Sequence, residues 1–225
     1  MSFRRLSPIA ALAGAAGLAA CAQASAAARL PAPAIDTAAA SAAGVATLSG
    51  GCFWGVQGVF AHVRGVRQVV AGYDGGARAT ANYEVVSTGT TGHAESVRIV
   101  FDPKTISYGE ILRIFFSVGT DPTQVNRQFP DDGPQYRSEI WVANAAQRDV
   151  ARAYIAQLNA AHAFGAPIAT RVDPDHGFYR AEGYHQDYLV RHPHAPYIAT
   201  YDMPKVAGLK ALFPGDFRAN PVTAL

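Results

Sequence analysis

The chain has 225 residues, enough for one domain with its own core or for two small ones. Hydrophobic residues make up 49% and charged residues 16%, which excludes a disordered polyelectrolyte and a coiled coil. A formal net charge of +2 is too weak a bias for a nucleic-acid partner, and two cysteines, Cys21 and Cys52, exclude a multi-bridge disulfide scaffold or an all-cysteine zinc site.

Residues 1–21 place Arg4 and Arg5 ahead of a short apolar run from Ile9 to Ala20. The run is too short to span a bilayer and has the form of a bacterial secretory signal. It ends Leu18-Ala19-Ala20-Cys21, which resembles a lipobox, where the chain is cut before the cysteine and the cysteine is acylated. A cut after Ala24-Ser25-Ala26 is the rival reading. The chain is therefore expected to be exported, either periplasmic or held at a bacterial membrane by a lipid anchor on Cys21. Either cut leaves 17 basic against 17 acidic residues, so the basic bias belongs to the signal. Residues 22–44 are mostly Ala with Pro31 and Pro33 and are expected to form a flexible tether. Residues 45–205 have the composition of a single globular domain. Residues 206–225, at an end punctuated by Pro204, Pro214 and Pro221, are expected to be an extended, surface-hugging tail.

Within the globular part, Val45–Leu48 is a short β-prone run ended by Gly50-Gly51. Phe53, Val56, Val59, Phe60 and Val63 then recur at helical spacing and predict a helix over 52–63. Strands are predicted over 66–73 and 93–101, the second with Val97, Ile99 and Phe101 on one face. Ser107-Tyr108-Gly109-Glu110 is a capping box that opens a helix through Val118. Thr120–Pro134 is polar and punctuated by Pro and Gly, and reads as a long functional loop. A strand over 138–143, a helix over 145–161 capped by Asn144, a strand over 168–172 and a helix over 182–191 complete the domain. This order favours an α+β two-layer sandwich over a doubly wound sheet. The chain has no G-x-G-x-x-G or Walker A pattern, which argues against a nucleotide cofactor.

Cys52 falls between a strand end and a helix start. Unpaired N–H groups and the helix dipole there favour negative charge, so the position is expected to lower the thiol pKa. A buried structural cysteine is the bland alternative. Trp54 lies about 160° from the centre of the helix's apolar stripe, which suits a pocket wall better than a core position.

Gly51-Cys52-Phe53-Trp54-Gly55 resembles the signature of the A-type peptide methionine sulfoxide reductases. The resemblance extends, in the family's order, through Gly72-Tyr73-Asp74-Gly75-Gly76, Tyr83-Glu84, Thr91-Gly92-His93-Ala94-Glu95 and Asp102-Pro103. It continues with Asp121-Pro122-Thr123, Asn126-Arg127-Gln128, Gln135-Tyr136-Arg137-Ser138 and Tyr184-His185-Gln186, and so covers residues 45–195. It implies a ferredoxin-like plait with a mixed, mainly antiparallel sheet and a long C-terminal coil. It also implies thiol-dependent reduction of methionine-S-sulfoxide, in proteins and free, by a monomer without metal or flavin.

The reaction needs a nucleophile for the sulfoxide sulfur, an acid for its oxygen and a pocket for its methyl group. By the resemblance, Cys52 is the nucleophile and passes through a sulfenic acid, and Glu95 is the acid. Tyr83 and Tyr136 bind the sulfoxide oxygen. Asp131 holds substrate or water by hydrogen bonding, and Phe53 with Trp54 walls the methyl group. His93 is expected to support the fold, and the grouping of His185, His192 and His194 is not expected to bind metal. Two departures stand out: Gln57 occupies a position that is commonly glutamate, and Phe129-Pro130 follows Gln128 where glycine is usual. The second is expected to stiffen the loop and reshape the substrate rim. No cysteine follows Cys52, so recycling is expected to need an external thiol, from a thioredoxin-like protein or a small molecule. A disulfide between Cys52 and an unlipidated Cys21, a module that binds oxidised methionine without turnover, and a Cys52–His93 hydrolase are the alternatives.

Overall fold

The computed structural model describes residues 29–37 and 43–224. The signal and lipobox, with Cys21, lie outside the described residues. The strands are β1 (Gly44–Gly50), β2 (Val66–Asp74), β3 (Ala94–Phe101), β4 (Arg127–Gln128), β5 (Asp131–Asp132), β6 (Ser138–Val142), β7 (Arg171–Pro174) and β8 (Tyr179–Arg180). Among the described residues, six of these form one sheet in the order β7-β6-β1-β3-β2-β8. Only β6 and β7 run parallel; the other pairings are antiparallel. The expected α+β sandwich with a mixed, mainly antiparallel sheet is the architecture found.

Alternation along the strands sorts the side chains into two faces. Leu48 pairs with Val97 and with Ile140, and Val97 also pairs with Ala71, so one apolar layer crosses four strands. The helices α1 (Phe53–Ala61), α3 (Tyr108–Ile114) and α4 (Ala145–Ala160) pack on this layer and on one another. The other face is polar and internally paired: Ser49 and Ser96 hydroxyls meet at 2.7 Å, and Trp141 Nε1 donates to Ser49 Oγ at 2.8 Å. Glu95 has the same parity as Val97, Ile99 and Phe101, so the pleat places a carboxyl on the helix-covered side.

The caps fall where the sequence places them. Ser107 accepts from the Glu110 N–H at 3.2 Å, and Asn144 accepts from the Gln147 N–H at 3.0 Å. After α3 the chain continues as one wider turn, Phe115–Gly119, whose Phe115 and Phe116 are buried. The predicted long loop contains a two-strand ribbon, β4–β5, with Phe129-Pro130 at its tip. The strand expected over 168–172 begins at Arg171. The helix expected over 182–191 is broken into a turn at Gly183–His185 and α5 (Tyr188–Arg191). The break arises because the Gln186 side chain pairs with the backbone of Ala71, accepting at 3.0 Å and donating at 2.9 Å, while Asp187 takes a left-handed conformation.

Two expectations about the ends are overturned. Residues 29–37 are not a free tether: Leu30 is buried, and Tyr154 donates its hydroxyl to the Pro31 carbonyl at 2.8 Å. Asp36 accepts from the Gly109 N–H at 2.8 Å and from the Ser107 hydroxyl, so the strap also binds the start of α3. Low complexity hid these anchors, since carbonyls between prolines have no backbone partner of their own and accept from side chains instead.

The 206–225 segment is not wholly an extended tail either. A wide turn at Ile198–Asp202 leads into α6 (Met203–Leu212), with Pro204 in its first turn, where proline is favoured rather than disruptive. Val206, Leu209 and Phe213 are buried. This segment packs on α1 at Gly55, where a Cβ would stand 2.1 Å from Asp202 Oδ1, while α5 packs at Gly58, where one would stand 2.5 Å from Leu189 Cδ1. Helix α1 is consequently covered on nearly every side, Trp54 being its one half-exposed residue.

The end of the chain is fastened to α1 as well. Gln57 Nε2 donates to the Val69 carbonyl at 3.0 Å, and its Oε1 accepts from the Asp187 N–H at 2.9 Å. The Asp187 carboxylate in turn accepts from the Ala224 N–H at 3.0 Å. Replacing Gln57 with Glu removes the donor and faces a carboxylate with a carbonyl and with Asp187. Gln57→Glu is expected to cost about 1–3 kcal/mol. Urea unfolding at neutral pH measures this, and an unchanged midpoint would show the network to be slack.

Candidate active site

Cys52 is the N-cap of α1 and is buried. The next N–H, that of Phe53, donates to Glu95 Oε2 at 2.9 Å, so the first turn of α1 holds the thiol and the carboxyl side by side. The expected lowering of the thiol pKa is not found. Burial pushes Cys52 well above its ordinary value, and negative charge on Glu95 and Asp202 pushes the same way. The Trp54 N–H and the Lys205 ammonium oppose this without overcoming it. Local helix geometry predicted the sign of one contribution, the Trp54 N–H, but the tertiary burial outweighs it.

Glu95 is buried, and loss of hydration pushes its carboxyl up to about 8, opposed by the Phe53 N–H. At neutral pH it is mostly un-ionised, which also relieves the charge it would place on Cys52. Tyr83, at the start of α2 (Tyr83–Val86), and Tyr136 are half-buried. Burial pushes both phenols up, and the nearby charges of Glu95, Cys52 and Asp131 add to this, so both remain donors. Asp131, on β5, is half-buried and accepts from the Tyr197 hydroxyl. Burial pushes its carboxyl upward, while that hydrogen bond and Lys205 pull it down. The structure thus brings Cys52, Glu95, Tyr83, Tyr136 and Asp131 into one electrostatic neighbourhood.

Phe53 and Trp54 stand on either side of His185, with ring centroids at 5.0 and 5.7 Å from it. Trp54 donates its indole N–H to His185 Nδ1 at 3.1 Å and stacks on Tyr188 at 4.0 Å. Burial holds His185 below the ordinary imidazole range, so the neutral ring fixes the indole. His93 does support the fold, accepting from the Gly76 N–H at 3.2 Å.

Gly51 has φ +91°, and a Cβ there would meet Gln128 at 2.5 Å. Gln128 accepts from the Asp121 N–H at 2.9 Å and donates to Thr120 Oγ1 at 2.8 Å, which locks the ribbon carrying Asp131 beside the thiol.

Sequence reasoning missed four residues near the thiol: Tyr197, Asp202, Lys205 and, as the holder of Trp54, His185. Asp202 is 0% exposed, has Oδ1 3.2 Å from Lys205 Nζ and has a buried Oδ2 without a hydrogen-bond partner. The available signal was Asp202 directly before Met203-Pro204, a helix start inside the segment read as the domain's end.

A buried thiol beside an un-ionised carboxylic acid, among aromatic rings in an α+β sandwich, is the equipment of a cysteine-dependent enzyme. The sequence profile described as Peptide methionine sulfoxide reductase matches residues 44–213. The chain is 51% identical over 191 residues to peptide methionine sulfoxide reductase MsrA 2 of Mesorhizobium japonicum, covering 85% of this chain and 98% of that protein. It is 46% identical over 169 residues to peptide methionine sulfoxide reductase MsrA of Thermus thermophilus, covering 75% of this chain and 94% of that protein. The reduced form of Mxr1 from Saccharomyces cerevisiae is similar with a TM-score of 0.63 at 30% identity, covering 71% of this chain and 91% of that one. Methionine sulfoxide reductase A of Corynebacterium diphtheriae is similar with a TM-score of 0.59 at 31% identity, covering 70% and 80%. The chain belongs to the peptide methionine sulfoxide reductase family.

Proposed function

We propose that the chain reduces methionine-S-sulfoxide, in proteins and as the free amino acid, with Cys52 as nucleophile and Glu95 as acid. The observation that carries the assignment is the shared first turn of α1, where Cys52 caps the helix and Phe53 N–H holds Glu95. Cys52 Sγ attacks the sulfoxide sulfur as the Glu95 proton passes to the oxygen. The oxygen then moves to Cys52 as a sulfenic acid, and methionine leaves as the sulfide. Cysteine sulfur loses two electrons and the sulfoxide gains them; the thiol's proton has left on ionisation, and Glu95 takes up a replacement proton from water. Tyr83 and Tyr136, kept as phenols, donate to the oxygen while charge builds on it. Phe53 and Trp54 enclose the methyl group, and Asp131, steadied by Tyr197, holds substrate or water.

Recycling uses two external thiols. The first attacks the sulfenic sulfur and releases water, and the second displaces the mixed disulfide to restore Cys52. A thioredoxin-like protein or a small thiol fits this role, since no cysteine follows Cys52. We also propose export directed by residues 1–21, with Cys21 as lipid anchor. An intact mass without acyl chains on a mature Cys21 would remove the anchor and reopen the Cys21–Cys52 disulfide.

Incubated with a methionine-S-sulfoxide peptide and no reductant, the protein is expected to release about one equivalent of methionine per thiol. Dithiothreitol should convert this to multiple turnover, and Cys52→Ser should release none in either condition. Release by the Cys52→Ser variant would sink the nucleophile assignment.

A further inference from the structure

Six large apolar side chains are exposed among the described residues, and four of them stand on or next to the elements that carry site residues. Val85 stands on α2 with Tyr83, Val125 and Phe129 stand on the loop and ribbon that carry Asp131, and Tyr184 adjoins His185. Phe129 is 65% exposed and Tyr184 57%. Isolated exposed apolar residues are ordinary on a protein surface, but a group gathered around one pocket marks a binding face.

Both aromatic residues are continuous with the pocket walls. The Phe129 ring meets Tyr201 edge-on at 5.8 Å, Tyr201 lies 5.2 Å from Tyr197, and Tyr197 lies 6.0 Å from Trp54. On the opposite side Tyr184 lies 4.2 Å from His185, which lies 5.0 Å from Phe53. Ring contacts therefore link the exposed Phe129 to Trp54 and the exposed Tyr184 to Phe53, the two residues that follow Cys52. A free methionine sulfoxide reaches only the rings next to Cys52. An extended polypeptide passing over them would place its neighbouring side chains on Phe129 and Tyr184.

We propose that Phe129 and Tyr184 form two subsites for apolar side chains flanking an oxidised methionine in an extended polypeptide. The inference rests on the reductase reading above. It makes the preferred substrate a methionine sulfoxide flanked by apolar side chains. Continuity with the site identifies the occupant, since any chain entering the pocket crosses these rings. The Phe129-Pro130 departure then has a use: it sets a large apolar ring at the tip of the β4–β5 ribbon.

The test compares blocked pentapeptides carrying methionine-S-sulfoxide between two leucines or between two serines, with dithiothreitol as reductant. The wild-type kcat/KM for the leucine peptide is expected to exceed that for the serine peptide about tenfold, equivalent to about 1.4 kcal/mol. In Phe129→Ser and in Tyr184→Ser the ratio should fall below about threefold, or about 0.65 kcal/mol. Because each variant is its own reference, a general loss of activity cancels from the ratio. A wild-type ratio near one, or a ratio unchanged in both variants, would overturn the proposal and leave the reductase reading intact. A raised KM for a thioredoxin-like reductant with an unchanged peptide ratio would also overturn it, assigning the face to the reductant. Reduction of neither peptide by the wild-type protein would defeat the reductase reading itself.

Discussion

Glu95→Gln is expected to slow single-turnover reduction of methionine-S-sulfoxide by about 10²–10⁴-fold, the usual range for loss of a positioned general acid. The amide keeps the shape and can still accept from the Phe53 N–H, but it has no proton to give to the departing oxygen. The pH profile carries the sharper signature. The wild-type reaction uses a thiolate and a carboxylic acid together, and the carboxyl of Glu95 is pushed up to about 8 by burial. The rate should therefore rise as the first proton leaves the pair, pass through a maximum, and fall at alkaline pH once both groups have ionised. In Glu95→Gln only the thiol titrates, so the rate should rise with pH and not fall. That rise should lie below the wild type's alkaline fall, because the Glu95 charge is one cause of the raised Cys52 pKa. A variant within threefold of wild type, or one that keeps the alkaline fall, would remove Glu95 from the acid role. Stability follows the same group. Its folded pKa is raised, so its contribution is fully present below the ordinary carboxylate range and lost as pH rises through about 8. Glu95→Gln should remove that dependence.

Lys205→Met is expected to destabilise the domain by about 1–3 kcal/mol, the cost of leaving the buried Asp202 carboxylate without the part-exposed lysine that faces it. Asp202 is fully buried, its Oδ2 has no hydrogen-bond partner, and Lys205 Nζ is 3.2 Å from its Oδ1. Burial pushes the Asp202 carboxyl up and Lys205 pulls it down, so without the lysine the carboxyl should retain its proton to higher pH. The loss should accordingly be smallest in acid and grow toward alkaline pH. Asp202→Asn combined with Lys205→Met should recover most of the stability, because the amide carries no charge to strand. Chemical denaturation of the two single variants and the double variant between pH 5 and 9 measures the coupling. Additive losses would show that the pair does not act as a unit. The pair also bears on the chemistry: Lys205 lowers and Asp202 raises the Cys52 pKa, so Lys205→Met should slow alkylation of Cys52 at a given pH.

Much of the site was legible because the residues that carry it are local. Cys52, Phe53 and Trp54 fall in one turn, and their ordered company across residues 45–195 identified the reaction. Glu95 came from that resemblance; only the fold shows that it shares the covered face with Val97, Ile99 and Phe101, which is the physical reason its carboxyl is un-ionised. The C-terminal contribution was not legible. Tyr197, Asp202 and Lys205 lie about 145–153 residues from Cys52 in sequence, and the approach of Asp202 and Lys205 depends on Gly55 of α1 having no side chain. Prolines suggested an extended tail there, although one of them opens a helix. The same holds for 29–37, where an alanine- and proline-rich composition concealed Leu30 and Asp36 as anchors.

The sequence by itself determined the α+β order and the caps, because periodicity and capping chemistry are local properties, and its ordered resemblance to the family marked Cys52 and Glu95 as the candidate nucleophile and acid. The tertiary structure decided the ionisation of the site. An N-cap position lowers a thiol pKa through nearby N–H groups, yet the folded chain surrounds Cys52 with buried surface and two carboxyls and raises it. Solvation depends on everything packed around a group, including segments distant in sequence. The cysteine count met at the outset therefore narrowed the candidate thiols to two, while packing set how firmly Cys52 holds its proton.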